Sequence, residues 1–298
     1  MLRSLVFASI AFALTAQPSL AANRAKVVLP HTSKWEMRYD DDSCTLATRF
    51  GADKDSVLLV LNRYDPGDGF DLRLYSQALR YNGGLRMPLE LAFGSQPLQR
   101  FEAVAATATD AAKTPTVIVS GARLDGWNFP KQQYDPAVRP PAVTPQLEAA
   151  VTSITFKKAG AAAIQLQTGS MAAPMQAMRT CTDDLLRHWG FDPAIQGTLS
   201  RRVQPTGNPG TWLRSGDYPL GALWNGENGI VRFRLDVEPD GSVSNCRILF
   251  RTNPDSFADL SCKLLRERAR LAPALDSAGK PVKSYYLSQV RWVAGSGW

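Results

Sequence analysis

Apolar and polar residues alternate most strictly over residues 230–238, with Val231, Phe233, Leu235 and Val237 on one face and Arg232, Arg234, Asp236 and Glu238 on the other. A period of two with one apolar face predicts a half-buried strand in an antiparallel sheet. Pro239-Asp240-Gly241 predicts a turn, and residues 243–251 return as the second strand of a hairpin. Asn253 and Pro254 then read as the N-cap and first residue of a helix running to about residue 269, with Asp255 favoured by the helix dipole. Its apolar stripe is Phe257, Leu260, Leu264 and Leu265. Pro273 ends it, and residues 282–293 form a third strand. The order is strand, strand, helix, strand.

Upstream the pattern is shorter and more broken. Strands are predicted at residues 35–39, 45–50, 56–63, 70–75, 87–92, 116–120, 154–157 and 163–167. Turn chemistry separates them at Asp65-Pro66-Gly67-Asp68-Gly69, Asn82-Gly83-Gly84 and Lys158-Ala159-Gly160. Many short strands at this spacing predict a sandwich or barrel-like sheet. Residues 130–145 carry Pro130, Pro136, Pro140, Pro141 and Pro145, which predicts an extended surface connection or lid. Pro174 opens a helix whose apolar positions Met175, Met178, Cys181, Leu185, Leu186 and Trp189 recur at helical spacing before Gly190. The expected organisation is therefore a β-rich domain over residues 22–190, a linker over 191–211 and a second domain over 212–298, an α+β chain overall.

Composition then places the chain. With 298 residues, 44% hydrophobic, 20% charged and a net charge of +7, it has the profile of a folded globular protein, neither disordered nor polytopic. Residues 1–21 read as a secretory signal peptide: a basic start at Arg3, an apolar run over residues 5–16, and small residues at Ser19, Ala21 and Ala22. That run is shorter than the roughly 20 apolar residues a membrane helix needs, so a mature chain without a membrane span is expected, in the periplasm. In an exported chain Cys44, Cys181, Cys246 and Cys262, with no C-x-x-C pair, are expected to form two disulfides. Of the three connectivities, Cys44 with Cys181 and Cys246 with Cys262 is favoured, because each pair stays on one side of the linker.

The C-terminal motifs have a family look. Tyr218-Pro219 before a short helix, Gly229 leading into the alternating strand, Pro239-Asp240-Gly241-Ser242-Val243, Ala272-Pro273-Ala274 after the helix, and Gly279-Lys280-Pro281-Val282 before the last strand resemble the TonB C-terminal domain family over about residues 212–293. The resemblance implies a small antiparallel sheet packed on helices. It also implies binding of an extended segment of an outer-membrane transporter along the last strand, here Ser284, Tyr285, Tyr286, Leu287, Ser288, Gln289 and Val290. An energy transducer of that family also has an uncleaved membrane helix and a long Pro-rich spacer. This chain has a short apolar run and a β-rich domain in their place, so strand binding is expected and force transmission from the inner membrane is not.

Catalytic chemistry leaves little trace. The two histidines, His31 in a segment expected to fray and His188 near a helix end, have no motif-level nucleophile beside them. No G-x-S-x-G, H-E-x-x-H or P-loop occurs. Asp40-Asp41-Asp42 reads as a solvated turn, and Gly67 takes the third ligand position of a would-be calcium loop at residues 65–71. Arg232, Arg234, Arg266, Arg268 and Arg270 read as a solvated basic face or a surface for an acidic partner. The expected function is non-enzymatic protein binding in the envelope, with no cofactor, metal or nucleic-acid partner and no reading of oligomeric state. The alternative is a cell-envelope hydrolase or peptidoglycan-binding protein with paired carboxylates in the β-rich domain.

Overall fold

In the computed structural model, which describes residues 25–127, 141–252 and 254–295, the broken alternation of the first half becomes one curved sheet. The signal peptide and most of the Pro-rich stretch lie outside the described residues. The strands are β1 (Val27–Leu29), β2 (Glu36–Asp40), β3 (Ser43–Phe50), β4 (Val57–Arg63), β5 (Phe70–Tyr75), β6 (Arg86–Phe93), β7 (Gln99–Thr107) and β8 (Pro115–Ala122). Helix α1 (Pro145–Ala150), β9 (Ile154–Lys158), β10 (Ile164–Leu166) and α2 (Ala172–His188) complete the unit. The ten strands run in the order β1-β10-β9-β6-β7-β8-β5-β4-β3-β2. Only β1 and β10 pair in parallel.

The sheet curls into a half-barrel, and its ends are drawn together by the segment after β1. Gly51 N–H donates to the Pro30 carbonyl at 3.0 Å, Thr32 N–H donates to the Arg49 carbonyl at 2.9 Å, and His31 bridges to Phe50. His31 is therefore held, with its ring centroid 4.6 Å from that of Phe50, and the expectation of a frayed segment is corrected. Helix α2 buries Met175, Met178, Cys181 and Leu185 in the same core as Leu46, Leu59, Leu72, Leu89, Val117 and Phe156. The Cys44–Cys181 disulfide fixes it to β3. Strands β1 and β7 have no counterpart among the strands the sequence pattern predicts.

The second sheet follows the predicted order closely. After α3 (Pro193–Gly197), β11 (Gln204–Pro205) and α4 (Leu220–Trp224) come β12 (Gly229–Val237), β13 (Val243–Arg251) and α5 (Ser256–Arg268). Short strands β14 (Leu271–Ala272), β15 (Ala274–Leu275) and β16 (Pro281–Val282) precede β17 (Ser284–Trp292). The order β13-β12-β17 is antiparallel throughout, and Phe233, Leu235, Val237 and Leu265 form the core between sheet and α5. Cys246–Cys262 ties β13 to α5. In the Pro239-Asp240-Gly241 turn Gly241 has φ +86, a left-handed backbone that favours glycine. The residue at the helix N-cap is Asp255, with no side-chain cap bond, because its carboxylate is taken by Arg251 at 2.6 Å. The stretch expected as a linker holds α3 and β11; β11 pairs with β14, and Val203 is buried in the second core.

The other face of the second sheet is largely covered by the first sheet. Arg232, read as solvated, donates from Nη2 to both oxygens of Asp71 on β5 at 2.7 and 2.8 Å. Arg234 is 4% exposed, lies 4.1 Å over the Trp189 ring and pairs with Asp236 at 2.7 Å. Ile230 is buried against Val104 and Ile118, and Arg73 lies 4.0 Å over the Phe250 ring. Arg247–Asp42 at 2.7 Å and Arg291–Glu102 at 3.0 Å extend the contact. Arg232, Arg247 and Arg291 thus meet carboxylates between residues 42 and 102, while Arg234 is paired within its own strand by Asp236.

Candidate partner-binding edge

The second sheet has two end strands, β13 and β17, each paired on one side only, and the strand expected to bind is β17. β17 pairs with β12 on one side and is the last strand in the order, so alternate backbone N–H and C=O groups point outward along its length. Even-numbered residues of β17 turn to the core: Tyr286 packs on Trp212 with ring centroids 5.9 Å apart, Val290 joins the same core, and Trp292 stacks on Phe257 at 5.1 Å. Odd-numbered residues turn to the first domain. Tyr285 lies 5.8 Å from Trp189 and 5.2 Å from Phe191, and Gln289 accepts a hydrogen bond from Arg232 at 3.3 Å. Burial pushes the Tyr285 hydroxyl well above the ordinary tyrosine range.

The seven residues expected as a pairing edge are one strand, but their surroundings differ. At the start of β17, Ser284 is buried and donates to Gln196 Oε1 at 2.7 Å, while Gln196 Nε2 donates to the Lys283 carbonyl at 3.2 Å. Helix α3 thus covers that end. From Ser288 onward the strand borders a cavity of about 590 Å³. Trp212, Phe233, Leu265, Val290 and Trp292 contribute its apolar wall, and Leu223 of α4 its outer lip. Next to that lip, Leu220 and Trp224 are exposed, Trp224 by 81%.

Positive charge rims the cavity. Arg214 and Arg291 come from the second domain and Arg86 from the start of β6 in the first. The nearby Asp217 carboxylate is held below the ordinary carboxylate range, first by hydrogen bonds from Arg268, whose Nη1 lies 2.6 Å from Oδ2. The cavity was not legible in the sequence; its one sequence-level signal is a serine at 288 in a row of large residues.

Residues 215–293 match the family described as Gram-negative bacterial TonB protein C-terminal. The TonB C-terminal match covers the second sheet, α4, α5 and the open strand. No curated protein and no solved structure matches the chain. The two disulfides fit an extracytoplasmic location. Among the described residues no helix is long and apolar enough to cross a membrane.

The first domain holds a smaller polar cavity of about 240 Å³, lined by Arg49, Asp53, Lys54, Tyr75 and Asp110 among others. Its Asp110 carboxylate is held low by hydrogen bonds from the backbone N–H and hydroxyl of Thr114, at 2.9 and 2.7 Å. Among the described residues no group of three or more His, Cys, Asp or Glu side chains could hold a metal ion.

Proposed function

We propose that this chain is a periplasmic binding protein whose second domain takes up an extended segment of an envelope or outer-membrane protein as a fourth strand beside β17. The observation that carries the reading is an end strand, open on its outer side and bordered by an apolar cavity, inside a segment that matches the TonB C-terminal family. The first domain contacts the back of the sheet through Arg232, Arg247 and Arg291, so the edge is presented on a packed support. A link to TonB-dependent outer-membrane transport follows from the family and belongs to the same proposal. Strand addition relies on main-chain donors and acceptors, which proline interrupts without adding charge.

Of the neighbouring positions 288 and 289, one N–H points to β12 and the other outward. Ser288→Pro and Gln289→Pro are therefore made together, and the variant that keeps the wild-type melting curve is the informative one. It should lose binding to synthetic peptides taken from periplasm-facing segments of outer-membrane transporters, measured by fluorescence anisotropy. Hydrogen exchange of the wild type with the same peptide should show new protection confined to β17. Unchanged affinity in the folded proline variant would overturn strand addition.

A further inference from the structure

Between Tyr286 and Val290, Ser288 presents only a hydroxymethyl group on the core side of β17, and its register partner is Phe233. A larger side chain there would cover Phe233 and Leu265; instead both line the cavity. Its volume of about 590 Å³ lies within the range of roughly 300–1,000 Å³ typical of pockets that hold specific ligands. The open backbone of β17 runs along its mouth, a row of donors and acceptors that another extended chain satisfies in series.

Charge at the rim is unbalanced. Glu102 accepts Arg291 at 3.0 Å and lies 3.5 Å from Arg86, so one carboxylate serves two guanidinium groups. The Arg214 side chain forms no salt bridge among the described residues; its charge reaches the adjacent Asp217, but that carboxylate is hydrogen-bonded by Arg268, so it too is shared between two guanidinium groups. Arg86 is 64% exposed at its side chain and lies outside the family-matched segment.

We propose that the segment taken up beside β17 is acidic: one large apolar side chain enters the cavity over Ser288, and a carboxylate meets the rim formed by Arg86, Arg214 and Arg291. The inference rests on the strand-addition reading and names the chemistry of its partner. It also makes the first domain, through Arg86, part of the recognition surface. An acidic side chain gains charge-assisted hydrogen bonds from planar guanidinium groups, whereas a lysine meets like charge.

The test uses the full chain and an array of synthetic peptides of about ten residues, enough to match β17, built on an alternating Thr-Val scaffold. One Phe and one Glu are stepped through the positions. The best Phe/Glu peptide should bind about tenfold more tightly than its Glu→Gln or Phe→Ala counterpart, the size of one such contact. Arg86→Gln should erase the Glu/Gln difference, Ser288→Leu should erase the Phe/Ala difference, and Arg266→Gln, an exposed change away from the cavity, should alter neither. Circular dichroism and melting curves check that Ser288→Leu folds, and the exposed Arg86 supplies a second variant that keeps the core intact.

A Lys peptide that binds as well as the Glu peptide, or preferences that survive in both Arg86→Gln and folded Ser288→Leu, overturns the inference. N-methylation of alternate peptide amides separates the two levels. Binding that it abolishes, but that is indifferent to Glu and Phe, overturns the inference alone. Binding that it leaves unchanged, with both preferences intact, overturns strand addition and leaves the acidic, apolar preference standing. An array in which nothing binds overturns both.

Discussion

Arg232 on β12 and Asp71 on β5, separated by 161 residues, join the two sheets through a single guanidinium nitrogen bonded to both carboxylate oxygens at 2.7 and 2.8 Å. The Asp71 side chain is 4% exposed and the Arg232 side chain 17%, with the guanidinium also 4.7 Å over the Tyr64 ring. Around them, burial pushes the Tyr64 hydroxyl up to about 12. Removing one member of a buried pair leaves the other charged and unsolvated, which costs about 3–5 kcal/mol. Asp71→Asn should approach that loss in urea denaturation, while Asp71→Asn combined with Arg232→Met should recover part of it. A single-variant loss below about 0.5 kcal/mol, the scale of an ordinary surface change, would show that the pair contributes little to the junction.

The two disulfides enclose loops of very different length. Cys246–Cys262 spans 16 residues and Cys44–Cys181 spans 137. On the chain-entropy account, opening them costs about 3 and about 5 kcal/mol respectively. Cys262→Ala with Cys246→Ala should therefore lower stability less than Cys181→Ala with Cys44→Ala. Thiol labelling of denatured, unreduced protein should find no reactive cysteine. Labelling of all four, or the reverse order of stability, would contradict this.

How much of this could be read in the chain depended on whether the signal was local. The hairpin and α5 were legible because each signal is local: the alternation at 230–238, the Pro239-Asp240-Gly241 turn and the Phe257, Leu260, Leu264, Leu265 stripe each lie within a run of fewer than ten residues. The fate of the polar face was not. A period of two separates Arg232 and Arg234 from Val231 and Phe233, yet it cannot distinguish water from a distant carboxylate, and Asp71, Asp42 and Glu102 all lie far back in the sequence. Strand β7 was missed because Ala103, Ala105 and Ala106 dilute its apolar pattern with a residue poor in strand preference. The cavity was beyond reach for a different reason: it exists because a small Ser288 is registered opposite Phe233, and register is a property of the paired strands.

Acid should loosen the second domain through Asp217. Hydrogen bonds from Arg268 hold its carboxyl below the ordinary range, so its folded pKa lies under its unfolded one. Such a group contributes stability above the unfolded value, near pH 4, and loses that contribution as pH falls through the folded value. Asp217→Asn should thus be less stable than the wild type at pH 7, with the gap closing below about pH 4. A gap that persists unchanged at pH 2 would mean that the loss in Asp217→Asn is one of packing and not of charge.

The final prediction concerns whether the two domains unfold together. Ile230 is 2% exposed and packs with Val104 and Ile118 of the first domain, while its neighbours Val231 and Phe233 point the other way, into the second domain's own cores. A substitution at 230 therefore acts on the junction and spares those cores. Ile230→Val removes one methyl group and should cost about 1 kcal/mol, with unfolding still in one transition. Ile230→Asp places a carboxylate between Val104 and Ile118, where no hydrogen-bond partner compensates for its lost hydration, at a cost of about 3 kcal/mol or more. Because each domain retains a core and a disulfide, that variant should relieve the conflict by parting the sheets, and calorimetry should then show two transitions where the wild type shows one. Limited proteolysis should also release a stable C-terminal fragment. A single transition at the wild-type midpoint would show that Ile230 does not hold the domains together, and the junction would have to be assigned to its ion pairs instead.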